Sequence, residues 1–272
     1  MRIALKIEYM GTRFCGSQFQ VGVRTVQDEL EKALGTFLRS PTGRAKVIFS
    51  GRTDTGVHAR GQVVHFDFDE PLDLWRLCWA LNGILPEDVS VQAAQVMPDE
   101  FHSRFSAIKR TYAYRILNQP QRSALFKQTH HFLPLKLNLP LMAELAAQIL
   151  GTHDFSGFKS SNSDTGTAVC RVERSEILNL GEGKLEFWIS ANHFVYNMVR
   201  IIVGTLIDIG LGKLPTSSLG EALHDRQRRK AGPTAPPWGL CLEQVEYPDS
   251  YQLFESASFQ ESTRDNQEID RE

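Results

Sequence analysis

No stretch of the chain reaches the roughly 18 consecutive apolar residues that a membrane-spanning helix needs, so no membrane partner is expected. The opening MRIALKIEYMG alternates apolar with polar residues and has no continuous apolar core, so it does not read as a signal peptide. Cysteine is scarce. Cys15, Cys78, Cys170 and Cys241 are scattered, with no Cys-x-x-Cys pair. That argues against a structural zinc site and a disulfide framework, and it fits a reducing cytosol. The eight histidines form no ligand pattern; His58 and His65 stand across a turn, and there is no HExxH. No metal site is expected. Glycines recur from Gly204 to Gly212, but no GxGxxG or GxxxxGK signature is present, and no serine sits in a GxSxG elbow.

What is there suits an ordinary globular protein. With 42% apolar and 23% charged residues over 272 positions, the chain can bury a sizeable core in one or two domains. Collagen, coiled coil and disorder of the whole chain are excluded. The net charge of −2 conceals a division. Residues 249–272 carry seven acids and two arginines, which leaves the other 248 residues at +3. That tail has few apolar residues and no period, and is expected to be an acidic, mobile appendage. The mildly basic body permits a nucleic-acid partner without demanding one.

Ile3, Leu5, Ile7 and Tyr9 alternate with polar residues and predict a strand. Thr25 can cap a helix bearing Val26, Leu30, Ala33, Leu34 and Phe37 on one face. Strands are predicted at 47–49, 64–68 and 89–96, with a helix at 72–81. The second half repeats this β-α-β-β-α-β order. A strand runs through Tyr112, Tyr114 and Ile116, and a helix capped by Asn138 stops at Gly151. Strands at 169–180 and 184–190 flank a glycine turn. A helix at 195–209 is apolar almost all round, and a short helix at 219–226 and a strand at 240–245 close the set. The class is α+β: two ferredoxin-like (RRM-like) halves sharing a mixed, mostly antiparallel sheet with a central cleft. The halves are drawn at 1–104 and 105–248, followed by the tail at 249–272.

The densest polar segment is SGRTDTGVHARG, from Ser50 to Gly61. Its three glycines allow tight turns and close approach. Arg52 and Arg60 flank one aspartate, Asp54, and opposite charge favours its ionised form. An ionised carboxylate on a loop serves as nucleophile or base. The same residues equally suit a surface turn with Asp54 as an Asx-turn residue. Arg200 bears on that choice. It lies in the most apolar helix, where an unpaired guanidinium costs on the order of several kcal/mol. It either snorkels to the surface along its stem or meets a carboxylate. Asp208 is too far along the helix, and Asp54 is the candidate.

Basic residues cluster at Arg39–Lys46 and at Arg226–Lys230, the second leading into AGPTAPPW. Such clusters hold phosphates and, with aromatics, stack bases; a solvated helix end has the same composition. His130 and His131, beside Lys127, either touch phosphate or form a solvated surface. Tyr112, on a strand beside Lys109 and Arg110, is either core or a ring offered to a flipped base.

GRTDTGVHARGQVVHF resembles the catalytic segment of the tRNA pseudouridine synthase A (TruA) family. Five further segments follow in the family's order: DEFHSRFSA from Asp99, RTYAYR from Arg110, GTHDF from Gly151, NHFVYNMVR from Asn192 and APPWGL from Ala235. The resemblance spans about residues 1–248. It implies an isomerase that converts uridine to pseudouridine at positions 38, 39 and 40 of the tRNA anticodon stem-loop. It further implies no organic cofactor and no metal, a cytoplasmic setting, and a homodimer in which one tRNA contacts both subunits. By the same resemblance Asp54 is the catalytic aspartate and Arg200 the basic residue paired with it. Arg52 is the arginine linked to flipping the base or filling its place, and Tyr112 packs on the target base. Gly51, His58 and Leu240 are expected on the substrate side. Lys109 and Thr111 depart from relatives that place more arginine around Arg110, and the acidic tail has no family counterpart. Two other classes compete. A non-catalytic RNA binder made of RRM-like halves would show an RNP1-like aromatic string, and neither half does. An aspartate-dependent glycosidic hydrolase wants a second, paired carboxylate, and none is evident.

Overall fold

Alternation makes the first strand, and burial shows why. Ile3, Leu5, Ile7 and Tyr9 of β1 (Arg2–Tyr9) are all buried. The computed structural model describes residues 1–160 and 167–254. The other strands are β2 (Ile48–Phe49), β3 (His58–Asp67), β4 (Val89–Met97), β5 (Lys109–Leu117), β6 (His131–Phe132), β7 (Gly151–Asp154), β8 (Val169–Asn179), β9 (Lys184–Ala191) and β10 (Leu240–Glu246). The helices are α1 (Val26–Phe37), α2 (Leu74–Ile84), α3 (Leu139–Ala147), α4 (Met198–Gly210) and α5 (Ser218–Asp225). Caps fall where the side chains demand them. Thr25 Oγ accepts from the Asp28 amide at 3.2 Å and Asn138 Oδ1 from the Leu141 amide at 3.3 Å, satisfying donors that each helix leaves open.

One sheet runs β4-β1-β3-β10-β5-β9-β8-β7, with β2 added to β3 and β6 to β5. All neighbours pair antiparallel except β3 with β10 and β5 with β6. The order repeats: β4-β1-β3-β2 in the first half and β10-β5-β9-β8 in the second. Both are the order of a split β-α-β unit, so the fold is the expected α+β pair of ferredoxin-like halves. The halves join where the last strand of the second lies along β3 of the first, Cys241 opposite His58 and Leu242 opposite Ala59. Buried side chains form two clusters. One draws on Ile3 through Phe101 together with Leu242, Val245 and Tyr247; the other draws on Tyr114 through Leu240 together with Val57. Tyr112 packs against both. On this basis we propose the division at 1–104 and 105–248.

Several boundaries differ from expectation. Strand β3 begins at His58, not near 64, because residues 59–63 pair with β1 while 58–59 pair with β10. Both faces of β3 are buried, so it shows no alternation, and its glycine and polar residues read as a turn. Helix α4 starts at Met198 rather than 195, since Asn197 adopts a left-handed φ of 63°. Strands β6 and β7 are two and four residues long, too short for a period to register. The segment assigned to the tail begins packed. Tyr251, Leu253 and Phe254 lie against the first core, and the Phe254 amide donates to Gln95 Oε1 at 2.6 Å. The rest of that predicted tail, 255–272, lies outside the described residues.

Candidate active site

The loop from Ser50 to Val57 joins β2 to β3, and its flanks are tied down. The Ser50 amide donates to the Val63 carbonyl at 2.8 Å, its Oγ donates to Gln62 Oε1 at 2.5 Å, and Gln62 Nε2 donates to the Gly51 carbonyl at 3.0 Å. Thr53 is held by three bonds. Its Oγ1 pairs with the Tyr9 hydroxyl at 2.7 Å, its amide donates to Ser17 Oγ at 2.9 Å, and its carbonyl accepts from the Ser17 amide at 3.0 Å. Gly56 turns the chain at φ +80°, and a Cβ there would crowd Pro237. With Thr53 fastened on one side and the Gly56 and Val57 amides bonded to the Phe14 and Asp54 carbonyls on the other, the backbone that carries Asp54 is held in place.

That carboxylate meets one cation. Arg200 Nη1 donates to Asp54 Oδ2 at 3.4 Å and to Asn197 Oδ1 at 2.8 Å, while its Nε donates to the Ala235 carbonyl at 2.8 Å. The Arg200 and Asp54 side chains are 15% and 26% exposed, so the pair is sheltered yet open on the aspartate side. Of the two readings of Arg200, pairing holds and snorkelling does not. The arginines adjacent in sequence are a different matter. Arg52 is exposed, with no hydrogen-bond or ion-pair partner among the described residues, and Arg60 lies 3.7 Å from Glu243. Burial lifts the Asp54 carboxyl above the usual carboxylate range, and the Arg200 charge and hydrogen bond pull it back. The expectation that flanking arginines hold Asp54 ionised is therefore corrected: the opposing cation is Arg200, and desolvation is the larger influence.

Tyr112 is half-buried on β5, with its ring edge-on to Phe194 at 5.1 Å and 87°. Burial pushes its phenol up, and the negative charge of Asp54 adds to the shift, which places the two side chains in one electrostatic neighbourhood. Its hydroxyl has no partner among the described residues. Gly51 lines open space, where a Cβ would meet nothing within 4 Å. Leu240, 6% exposed, belongs to the second core beneath the loop.

His58 departs from its expected role on the substrate side. Its Nδ1 accepts from the Gly11 amide at 2.9 Å, and its Nε2 faces the Gln128 and Trp238 carbonyls at 2.8 and 3.0 Å. Both nitrogens are engaged within the protein, so the ring is a clasp joining three segments, and burial lowers its pKa. The surroundings also contain residues the sequence did not disclose. Asn197 and the Ala235 carbonyl steady Arg200, and Tyr9, Ser17 and Gln62 steady the loop.

The two basic clusters each contain, among the described residues, both paired and unencumbered cations. Arg44 is taken up by Asp28 and Glu31, Arg226 by Asp154 and Lys230 by Glu221. Arg228 donates to the Ala231 and Gly232 carbonyls. Arg39, Lys46 and Arg229 meet no carboxylate among the described residues. A cavity of about 470 Å³ opens at the other end of β3, lined in part by Ser40, Lys46, His65 and Asp67, away from Asp54. Among the described residues no group of three or more His, Cys, Asp or Glu side chains could hold a metal ion.

A family model described as tRNA pseudouridine synthase matches residues 6–106 and 145–248. A protein named tRNA pseudouridine synthase A from Paraburkholderia phymatum is 44% identical over 252 residues, covering 92% of each chain. A protein of the same name from Bacillus subtilis is 40% identical over 247 residues, covering 91% of this chain and 99% of its own.

Proposed function

The chain belongs to the tRNA pseudouridine synthase family, a family of isomerases, and from that premise we propose that it converts uridine to pseudouridine at positions 38, 39 and 40 of the tRNA anticodon stem-loop, with Asp54 as the catalytic carboxylate. The reaction breaks the N1–C1′ bond and forms a C5–C1′ bond. N1 gains a proton, C5 loses one, and no electrons are exchanged. The observation that carries the assignment is the carboxylate of Asp54 held by Arg200 and still partly open to solvent. An anion in a fixed direction is available to attack the ring or the ribose, or to take a proton from the sugar.

The target base must first leave its stack, at a cost on the order of a few kcal/mol. Arg52, exposed and with no ion-pair partner among the described residues, enters the vacated place. Tyr112 is the aromatic wall against which the detached base turns before rejoining the sugar. Open space at Gly51 lets the RNA backbone approach. The working unit is a cytoplasmic homodimer in this proposal, with one tRNA touching both copies.

The test is tritium release from tRNA labelled at uridine C5. Wild-type protein is expected to release tritium, and Asp54→Asn to release none above background while still binding tRNA. Full turnover by Asp54→Asn refutes the assignment. Free uracil among the products would mark a glycosidic hydrolase instead, and a bound but unchanged tRNA would mark a binding protein.

A further inference from the structure

Beside the Asp54 loop stands a cluster that the reaction does not use. Residues 101–106 read Phe-His-Ser-Arg-Phe-Ser. Phe101 is fully buried, whereas Phe105 is 77% exposed. Leaving such a ring in water forgoes the stabilisation that burial gives an aromatic side chain. The turn that presents it is held firmly. His102 Nδ1 accepts from the Arg104 and Phe105 amides at 3.1 and 3.3 Å, and Ser106 Oγ accepts from the His102 amide at 2.9 Å. The His102 ring backs Phe105 with centroids 4.4 Å apart and planes at 35°, and the Arg104 guanidinium lies 5.7 Å from the Phe105 ring centre. The turn is also tied to the catalytic loop. Arg110 Nη2 donates to the Arg104 carbonyl at 2.9 Å and to the Ser50 carbonyl at 3.1 Å, so one nitrogen bridges the turn and the segment that carries Arg52 and Asp54.

We propose that Phe105, backed by His102 and flanked by Arg104, is a stacking platform for an unpaired nucleobase adjoining the target uridine in the RNA strand. Everting one nucleotide strips its neighbour of a stacking partner, and a fixed aromatic ring on a turn tied to Ser50, at the head of the Asp54 loop, replaces that stack. Arg104 supplies a cation for the adjoining phosphate or the base face. The platform rests on the reading of Asp54 as the site that receives an everted uridine.

The probe is an anticodon stem-loop RNA carrying 2-aminopurine next to the target uridine, bound by full-length protein in an Asp54→Asn background so that the RNA stays unmodified. Phe105→Ala is expected to raise Kd by about five- to hundredfold. It should also abolish the change in 2-aminopurine emission on binding and leave the slope of log K against log salt unchanged, because a stack carries no counterion. Phe105→Trp should restore affinity and emission. Equal affinity for Phe105→Ala, or a loss that Phe105→Trp does not recover, overturns the platform. Failure of the underlying reading shows separately, as absent tritium release by the chain with Asp54 and Phe105 both intact.

Discussion

At the scale of single residues, one carboxylate experiences opposing forces. Burial favours the protonated form of Asp54 and Arg200 favours the anion, with burial the larger. If the anion is the reactive species, activity rises as pH climbs through the Asp54 pKa, and the acidic limb lies above the ordinary carboxylate range. Removing the cation removes the force that lowers the pKa. Arg200→Met is therefore expected to move the acidic limb of the pH–rate profile to higher pH, in addition to lowering the plateau. A mutant limb at the wild-type position would show that the pair does not govern ionisation. The pairing itself was legible in sequence as one of two outcomes, since a guanidinium in an apolar helix either snorkels to the surface or finds a partner. The details were not. Asn197 and the Ala235 carbonyl share the same guanidinium, and no local pattern announces a backbone carbonyl as an acceptor.

At the scale of elements, two glycines of one segment carry different duties. A Cβ at Gly61 would overlap the Glu243 carbonyl of β10, whereas a Cβ at Gly51 meets open space. Gly61→Ala is expected to cost about 1–3 kcal/mol, as overpacking does, because β10 must shift from β3. Gly51→Ala should stay within about 0.5 kcal/mol of wild type and act on RNA binding instead. Chemical denaturation of both variants, alongside tRNA affinity, checks the contrast. Sequence reading placed all three glycines in one turn. It could not see that β3 starts at His58, because a strand buried on both faces and paired to β10 loses the alternation by which strands are recognised. His58 was misassigned for the same reason: its partners, Gly11, Gln128 and Trp238, are distant in sequence.

At the scale of the whole molecule, positive charge decides how RNA is held, and much of it is spoken for. Arg228 serves the fold through backbone carbonyls, while its exposed neighbour Arg229 reaches only Gln227 among the described residues. Arg229→Gln is expected to lower the slope of log K against log salt by about one with unchanged stability. Arg228→Gln should lower thermal stability first. Titration of tRNA binding at several salt concentrations, with melting curves for each variant, separates the two. A slope unmoved by Arg229→Gln would place this cluster outside the RNA footprint.

The amino-acid order by itself determined the element types, the repeated β-α-β-β-α-β plan and the residues with chemical potential. Those depend on local periodicity, capping and composition, which act over a few neighbours. Only the tertiary structure decided that β10 crosses to join the two halves of the sheet, which arginine faces Asp54, that His58 is a clasp and that Phe105 stands uncovered. Those outcomes depend on which distant groups arrive side by side, and burial and hydrogen-bond partnership exist only after the chain has packed.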